Sequence, residues 1–309
     1  MVDEGETEAK NLPICQAKKR YYATLPPQRL EMEARMLNLE SPNPNVIAEI
    51  WVSRHIELYQ SIRKFGFKPK MRAKPITVRI AWDGSLEVTD GNNTVSILMH
   101  LNYKYPIYAE VSSRAQDWSK LKNDLYSFYG KKMLYQPSGH PDFADWEVAR
   151  ECEDRWNIIK PALEGVGASI DIGCNSGWFC RKMVGEGIQV TGCDPDPISL
   201  KLARTMSAYH GFSRNNPRYV QDSFENVLVK ESFDCALLLS VIHHYFRKSS
   251  EAAYSALNLI SRRCGKMILE METSRLPITW NPELVLKHTE YRKFETLSEK
   301  GRPIYVYIR

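Results

Sequence analysis

The chain has 309 residues, of which 43% are hydrophobic and 26% are charged, values that are ordinary for globular domains. Its length favours two domains over one. A net charge of +5 argues against a dedicated nucleic-acid binder, because such proteins usually carry a strong, clustered excess of Lys and Arg. The polar N-terminus and the lack of a long apolar run predict a cytoplasmic protein without membrane insertion. None of the seven cysteines forms a Cys-x-x-Cys pair, so we expect no structural zinc site.

Composition divides the chain into four predicted segments. Residues 1–20 are polar and are predicted to be a disordered tail, whereas residues 21–115 alternate short helices and strands in a small α+β domain. Residues 116–165 are predicted to form a helical, aromatic-rich connector. Residues 166–309 repeat apolar strands followed by helical patterns, which is the order of a mostly parallel α/β sheet.

The α+β segment contains a recognisable order of elements. We predict helices at 30–37, 45–66 and 94–101 and strands at 76–80, 86–88 and 106–111. The stretches Ser61 to Phe67, Lys74 to Val78, Val88 to Asn93 and Pro106 to Tyr108 resemble the ParB/sulfiredoxin-like domain family. That resemblance implies a ParB-like domain ahead of the α/β segment.

The turn after the second strand departs from that family. Its nucleotide-binding members carry an arginine-rich phosphate box after the last glycine of this turn, and its sulfiredoxins carry a cysteine there. This chain has Gly91-Asn92-Asn93-Thr94 instead, which offers no guanidinium for a phosphate and no thiol. We therefore expect a binding or scaffold module without catalysis of its own.

The connector combines helical patterns with exposed aromatic candidates. A helix is predicted at 118–128 and a second helical stretch at 142–160, with a Pro/Gly-rich segment between them. Aromatic residues such as Tyr126 and Trp146 are numerous enough here to stack on sugar rings.

The most informative stretch runs from Ser169 to Phe179. An apolar strand leads into a glycine-bearing turn and then into a helix, so that backbone can approach a ligand closely at a helix start. The glycines do not follow the Gly-x-Gly-x-x-Gly fingerprint of pyrophosphate binders. Apolar strands are then predicted at 189–194, 218–223, 233–240 and 266–270, and a closing antiparallel hairpin at 294–297 and 304–307.

This series resembles the class I methyltransferases that use S-adenosyl-L-methionine, with Asp171, Gly173 and Gly177 matching the Asp-x-Gly-x-x-x-Gly motif. The resemblance implies an α/β fold with a Rossmann-like seven-stranded sheet, S-adenosyl-L-homocysteine as a product, and no metal ion. Asp194 ends the second strand roughly 20 residues further on, where a carboxylate can accept hydrogen bonds from ribose hydroxyls. Asp222 matches the family position that contacts the adenine amino group. The full cofactor-binding set that we predict is Asp171, Gly173, Cys174, Asn175, Gly177, Asp194, Asp222, Ser223 and Ser240.

Candidate catalytic residues follow the fourth and fifth strands of this segment. His243 and His244 lie where open α/β sheets bind ligands, so either could remove a proton from an acceptor hydroxyl. The alternative is that they anchor a loop. Glu270 and Glu272 are candidates for catalysis or acceptor binding, and simple solvation at a strand end is their alternative.

Three acceptor hypotheses remain open at this point. The first is O-methylation of a sugar, polysaccharide or small-molecule hydroxyl by SN2 transfer, and the two-domain layout looks like proteins of bacterial polysaccharide synthesis. The second is methylation of RNA or a nucleotide, because residues 171–175 also resemble RNA 5′-phosphate methyltransferases and a Lys/Arg cluster spans 64–74. The third is a nucleic-acid-binding adaptor without catalysis, in which the ParB-like half dominates.

Overall fold

The structure is a computed structural model that describes residues 13–68, 75–105, 107–212, 216–275 and 279–309. The chain divides into two compact units. The first unit is Met1–Arg79 with Glu87–Ser113, and the second unit is Ile80–Leu86 with Arg114–Arg309. The predicted connector over residues 116–165 therefore lies in the same unit as the predicted α/β domain.

The first unit combines helices with a small sheet. Its helices are α1 (Pro13–Ala23), α2 (Pro27–Met36), α3 (Pro44–Phe65) and α4 (Asn92–His100). The strands β1 (Ile76–Ile80), β2 (Leu86–Asp90) and β3 (Ala109–Arg114) form a three-stranded sheet in the order β2-β1-β3 among the described residues. The start of α3 is fixed by Pro44 in its first turn and by the Asn43 side chain, which accepts from the Asn45 and Val46 amides.

The prediction of a disordered tail over residues 1–20 is wrong for residues 13–20, which belong to α1. The helix is held because its Tyr22 is buried against Leu30, Ala34 and Ile47, a tertiary contact that a polar local composition does not reveal. Residues 1–12 lie outside the described part of the chain.

The second unit is built around a central sheet. Before the sheet come α5 (Gln116–Tyr129), β4 (Met133–Leu134), β5 (Glu147–Val148) and α6 (Glu153–Ile159). The sheet strands are β6 (Ala168–Ile172), β7 (Gln189–Cys193), β8 (Arg218–Val220), β9 (Phe233–Leu239), β10 (Cys264–Glu270), β11 (Lys293–Ser298) and β12 (Ile304–Ile308). The helices between them are α7 (Trp178–Gly185), α8 (Pro197–Tyr209), α9 (Phe224–Lys230), α10 (His243–Lys248), α11 (Ser250–Arg263) and α12 (Glu283–His288).

The described strands of this sheet follow the order β11-β12-β10-β9-β6-β7-β8. Strands β6 to β10 pair in parallel, and β12 inserts antiparallel between β10 and β11. Leu238 packs in an apolar cluster on one face and Leu237 in a cluster on the other, so helices cover both faces. The predicted Rossmann-like seven-stranded sheet is confirmed. The strand order reverses between β6 and β9, which places the binding crevice at their carboxyl ends.

The prediction of a continuous helical stretch over residues 142–160 is wrong. A 3-10 turn (Pro141–Phe143), the short strand β5 and the two-turn helix α6 occupy it instead. The cause is tertiary, because the Asp142 carboxylate is drawn into contacts with Arg114, Trp118 and Lys122. Across the described ranges, no helix is both long enough and apolar enough to span a bilayer.

Candidate active site

The loop after β6 turns sharply at three positions with positive φ. Gly173 and Gly177 each have φ of 70°, and Asn175 lies between them with φ of 49°. A Cβ atom on Gly173 would lie 2.6 Å from Cγ2 of Val241, and one on Gly177 would collide with the Tyr219 hydroxyl. Both glycines are therefore required by backbone conformation and by space.

Asp194 holds this loop from the end of β7. One carboxylate oxygen accepts from the Asn175 amide at 2.9 Å and the other accepts from the Asp196 amide at 2.9 Å. Asn175 in turn donates through its side chain to the Ser199 hydroxyl at 3.1 Å. Burial raises the pKa of the Asp194 carboxyl above its ordinary value. The predicted ribose-binding acid thus lies beside the glycine loop, at the carboxyl edge of the sheet.

Asp171 lies beneath the same loop and is 3% exposed. Its carboxyl accepts from the Cys180 thiol at 3.2 Å, and burial raises its pKa to about 7. This contact ties Asp171 to α7. The Cys174 side chain is buried, with its sulfur near Gly192 and Cys180, so Cys174 can offer a cofactor its backbone alone.

Asp222 and Ser223 lie after β8, which ends at Val220 and not at Ser223 as predicted. The Asp222 carboxylate accepts from the Ser223 amide at 2.8 Å and from the Asn226 side chain at 2.7 Å. The Asn226 contact holds the pKa of Asp222 below its ordinary value. Ser223 accepts from the Asn226 amide and caps α9. The assignment of Asp222 to the adenine amino group, and of Ser223 to the cofactor site, stays a prediction.

The ends of β9 and β10 carry an ionic network that the sequence did not reveal. Glu270 is 3% exposed, pairs with Arg155 at 3.2 Å and accepts a short hydrogen bond from the Ser240 hydroxyl. Arg302 donates to that same hydroxyl at 2.7 Å and forms an ion pair with Glu272. Neither glutamate is a solvated strand end, which corrects the alternative considered for both. Ser240 adopts φ of 59°, so the chain bends sharply at this network.

The two histidines of α10 differ in their surroundings. His243 is 4% exposed, and its Nδ1 atom is buried without a hydrogen-bond partner among the described residues. Burial, with the nearby His244 and Arg247, lowers the pKa of His243 to about 4. His244 is exposed, and its ring centroid lies 4.0 Å from that of His243.

Two further residues tie the segment before β6 to the glycine loop. The Gln136 side-chain oxygen accepts from the Ser176 hydroxyl at 3.0 Å and from the Trp178 amide at 3.1 Å, at the start of α7. The Tyr129 hydroxyl contacts the Asn175 side chain. No local signal points to these residues, because their partners are about 40 residues away. Within the ranges that the structure describes, no group of three or more His, Cys, Asp or Glu side chains could hold a metal ion.

Comparison with known proteins assigns a class to this site. Residues 170–269 match the family model described as "Methyltransferase domain", a range that includes most of β6, the glycine loop, Asp194, both histidines and most of β10. This part of the second unit is therefore a methyltransferase domain, built on a Rossmann-like seven-stranded sheet. The match begins at residue 170, so the ParB-like character of the first unit stays a prediction.

Individual relatives are distant. The chain is 24% identical over 194 residues to the O-antigen chain terminator bifunctional methyltransferase/kinase WbdD of Escherichia coli, covering 54% of this chain and 26% of that protein. It is 30% identical over 126 residues to a tRNA U34 carboxymethyltransferase of Hahella chejuensis, covering 38% of this chain and 36% of that one. A solved WbdD structure aligns over 60% of this chain and 45% of its own, with 23% identity and a TM-score of 0.49. The matched region thus spans about a quarter of WbdD and a third of the tRNA enzyme.

Proposed function

We propose that this enzyme transfers a methyl group from S-adenosyl-L-methionine to a hydroxyl of a sugar, a polysaccharide or a related small molecule. The observation that carries this proposal is the buried Nδ1 atom of His243, which has no hydrogen-bond partner in the described part of the chain and lies at the carboxyl edge of the sheet. A hydroxyl acceptor must lose a proton during methylation, and an unpaired imidazole nitrogen can accept it.

For the cofactor, the donor set fits the ligand's chemistry. We assign Asp194 to the ribose hydroxyls and the buried carboxyl of Asp171 to the cationic methionine end. Asp222 and Ser223 are assigned to the adenine side, and the backbone of the glycine loop lies between these groups. When bound, the cofactor supplies an electrophilic methyl group on a sulfonium. The protein's part is to align the acceptor with it and to keep water away.

His243 would orient the acceptor hydroxyl. Because its pKa is about 4, the imidazole is neutral at pH 7, and Nδ1 accepts a hydrogen bond in the tautomer that carries its proton on Nε2. Nδ1 would take up the proton that the acceptor hydroxyl gives up. Arg302 and Glu272 lie close enough to influence this histidine and would hold neighbouring hydroxyls of the acceptor.

Similarity to WbdD favours a carbohydrate acceptor, because that relative acts as an O-antigen chain terminator. The proposal is tested by incubating the protein with S-adenosyl-L-methionine and cell-extract fractions of glycan, RNA, protein and small metabolites. Release of S-adenosyl-L-homocysteine is measured for each fraction. We expect S-adenosyl-L-homocysteine release with the glycan or the small-metabolite fraction. Release with the protein fraction and no other would contradict the proposal.

RNA is the second candidate acceptor, favoured by the similarity to a tRNA-modifying enzyme. A salt-dependent gel-shift assay separates it from the first, because binding through phosphates weakens steeply as salt increases. Tight RNA binding together with product release on the RNA fraction would favour this candidate over a glycan hydroxyl.

Replacing Asp194 with alanine is expected to weaken cofactor binding by about 1.5–3 kcal/mol, the range for hydrogen bonds to a charged group. Titration calorimetry measures this loss. The variant Asp194→Asn keeps one acceptor oxygen and should lose less, whereas Glu164→Ala, an exposed acid before β6, should bind normally. Normal cofactor binding by Asp194→Ala would remove the ribose assignment.

Cofactor affinity is expected to fall as the pH decreases below about 7. The carboxyl of Asp171 is held neutral below its raised pKa of about 7, whereas a cationic ligand favours the ionised form. Affinity should therefore fall by at most about tenfold for each pH unit below 7 and level off above it. Calorimetry between pH 5.5 and 8 measures the slope. In Asp171→Asn, which cannot ionise, the same slope would show that another group is responsible.

A further inference from the structure

A second concave site lies beside α5 and the turn that follows β4. This pocket, here called the α5 pocket, has a volume of about 370 Å³ and is lined by Arg114, Lys122, Asn123, Tyr126, Asp142 and Trp146, among others. Such a volume is within the range of small-ligand sites. The described lining residues include none from the glycine loop or from the carboxyl ends of β6, β7, β9 and β10, so the α5 pocket is distinct from the methyl-transfer site.

The floor of the α5 pocket is an ionic centre. The Asp142 side chain is 6% exposed and accepts from Arg114 Nε at 2.8 Å, Lys122 Nζ at 2.9 Å and Trp118 Nε1 at 2.8 Å. These partners hold the pKa of Asp142 well below its usual range, so the carboxylate stays charged. Because both cations are fixed by one buried carboxylate, their remaining N–H groups present donors in defined directions.

The rim supplies further donors and acceptors next to an aromatic surface. Lys132 pairs with Asp145, and both side chains are largely exposed. Asn123 is exposed and offers an amide that both donates and accepts. Tyr126 is 50% exposed, so part of its ring is free to contact a ligand. The α5 pocket therefore combines one accessible ring with alternating donors and acceptors.

This mixture matches a sugar ring better than a phosphate. A pyranose has an apolar C–H face, which packs on an aromatic ring, and hydroxyls around its edge that both donate and accept. A phosphodiester is bound through the positive charge of Lys and Arg side chains, and a neighbouring carboxylate weakens that attraction. Here Arg114 and Lys122 share Asp142, and Lys132 is paired with Asp145, so an incoming phosphate would meet two carboxylates.

We infer that the α5 pocket binds a sugar residue of a carbohydrate, with the ring on Tyr126 and the hydroxyls held by Arg114, Asn123 and Asp145. The inference deepens the proposed function, on which its biological role rests, because it gives a glycan acceptor a contact outside the methyl-transfer site. Carbohydrate binding itself requires neither cofactor nor methyl transfer.

The test measures binding of neutral tetrasaccharides of mannose, glucose and galactose to the full-length protein by saturation-transfer NMR, without cofactor. We expect at least one of them to bind, and Tyr126→Ala to weaken its binding at least tenfold. Since Tyr126 is half exposed, its removal should leave the fold intact. The matched control is Tyr108→Ala, which removes an 82% exposed tyrosine of the first unit and should bind as the natural protein does.

Several outcomes would overturn the inference. These are the absence of binding by all three sugars, equal binding by the natural protein and Tyr126→Ala, and equal losses in both tyrosine variants. Binding of a 20-nucleotide single-stranded RNA that Tyr126→Ala abolishes would assign the α5 pocket to RNA instead. Asp194→Ala, which impairs the cofactor site, should still bind the sugar. Sugar binding without methylation of any carbohydrate or small metabolite would contradict the proposed function and leave the α5 pocket assignment standing.

Discussion

Replacing His243 with alanine is expected to lower turnover by about 10²–10⁴-fold with little change in cofactor affinity, the range for loss of a general base. The reason is the proposed role of the buried Nδ1 atom, which accepts no hydrogen bond from any described residue. The prediction is checked by measuring turnover with an acceptor that supports S-adenosyl-L-homocysteine release, and by measuring cofactor binding in parallel. The control His244→Ala removes an exposed ring on the same helix and should have a much smaller effect.

The pH dependence of turnover follows from the lowered pKa of His243. Because the pKa of His243 is lowered to about 4, its imidazole is neutral and able to accept a proton above that pH. Turnover at saturating cofactor should therefore be insensitive to this group between pH 6 and 8 and should fall as the pH approaches 4. Full turnover in a stable His243→Ala/His244→Ala protein would leave alignment, or a carboxylate, as the source of catalysis. An activity loss that merely follows a loss of thermal stability would make the pair a loop anchor.

Replacing Glu270 with alanine is expected to destabilise the protein by about 3–5 kcal/mol, the cost of breaking a buried ion pair by removing one partner. Arg155, whose side chain is 15% exposed, would lose its carboxylate, and Ser240 would lose its acceptor. Urea denaturation measures the change in the free energy of unfolding. The control Glu186→Ala removes a surface pair with Lys160, and such pairs contribute about 0–1 kcal/mol.

This second experiment also separates a structural role of Glu270 from the catalytic role that the sequence suggests. If Glu270 anchors the network, the Glu270→Ala protein should lose stability and activity together, and the Glu270→Gln protein should retain part of both. A Glu270→Ala protein that unfolds like the natural chain and yet has no turnover would instead identify a catalytic carboxylate.

The central sheet could be read from the sequence because each strand is encoded locally. Phe233–Leu239 is an apolar run of the kind that a strand buried on both faces requires, and the glycine turn after Ile172 marks the carboxyl edge. The same local rules located Asp194 beside the loop, since parallel strands that lie next to each other end at one edge.

Contacts between distant segments could not be read in this way. Arg155 contacts Glu270, which is 115 residues away in the sequence, and no sequence pattern near either residue indicates this pairing. The stretch at residues 142–160 misled for the same reason. Its helical pattern is interrupted where Asp142 forms ion pairs with Arg114 and Lys122, and local helix propensity does not include such distant contacts.

The two hydrogen bonds accepted by Gln136 set a lower limit on the size of a portable catalytic module. A gene fragment trimmed to begin at β6 would still encode all the described strands of the central sheet, from Ala168 to Ile308. Such a fragment would lack the Gln136 side chain, which accepts from the Ser176 hydroxyl and the Trp178 amide, so the first turn of α7 would lose its hydrogen-bond acceptor. A fragment used for domain grafting or circular permutation should therefore begin at or before Gln136, which lies more than 30 residues before β6.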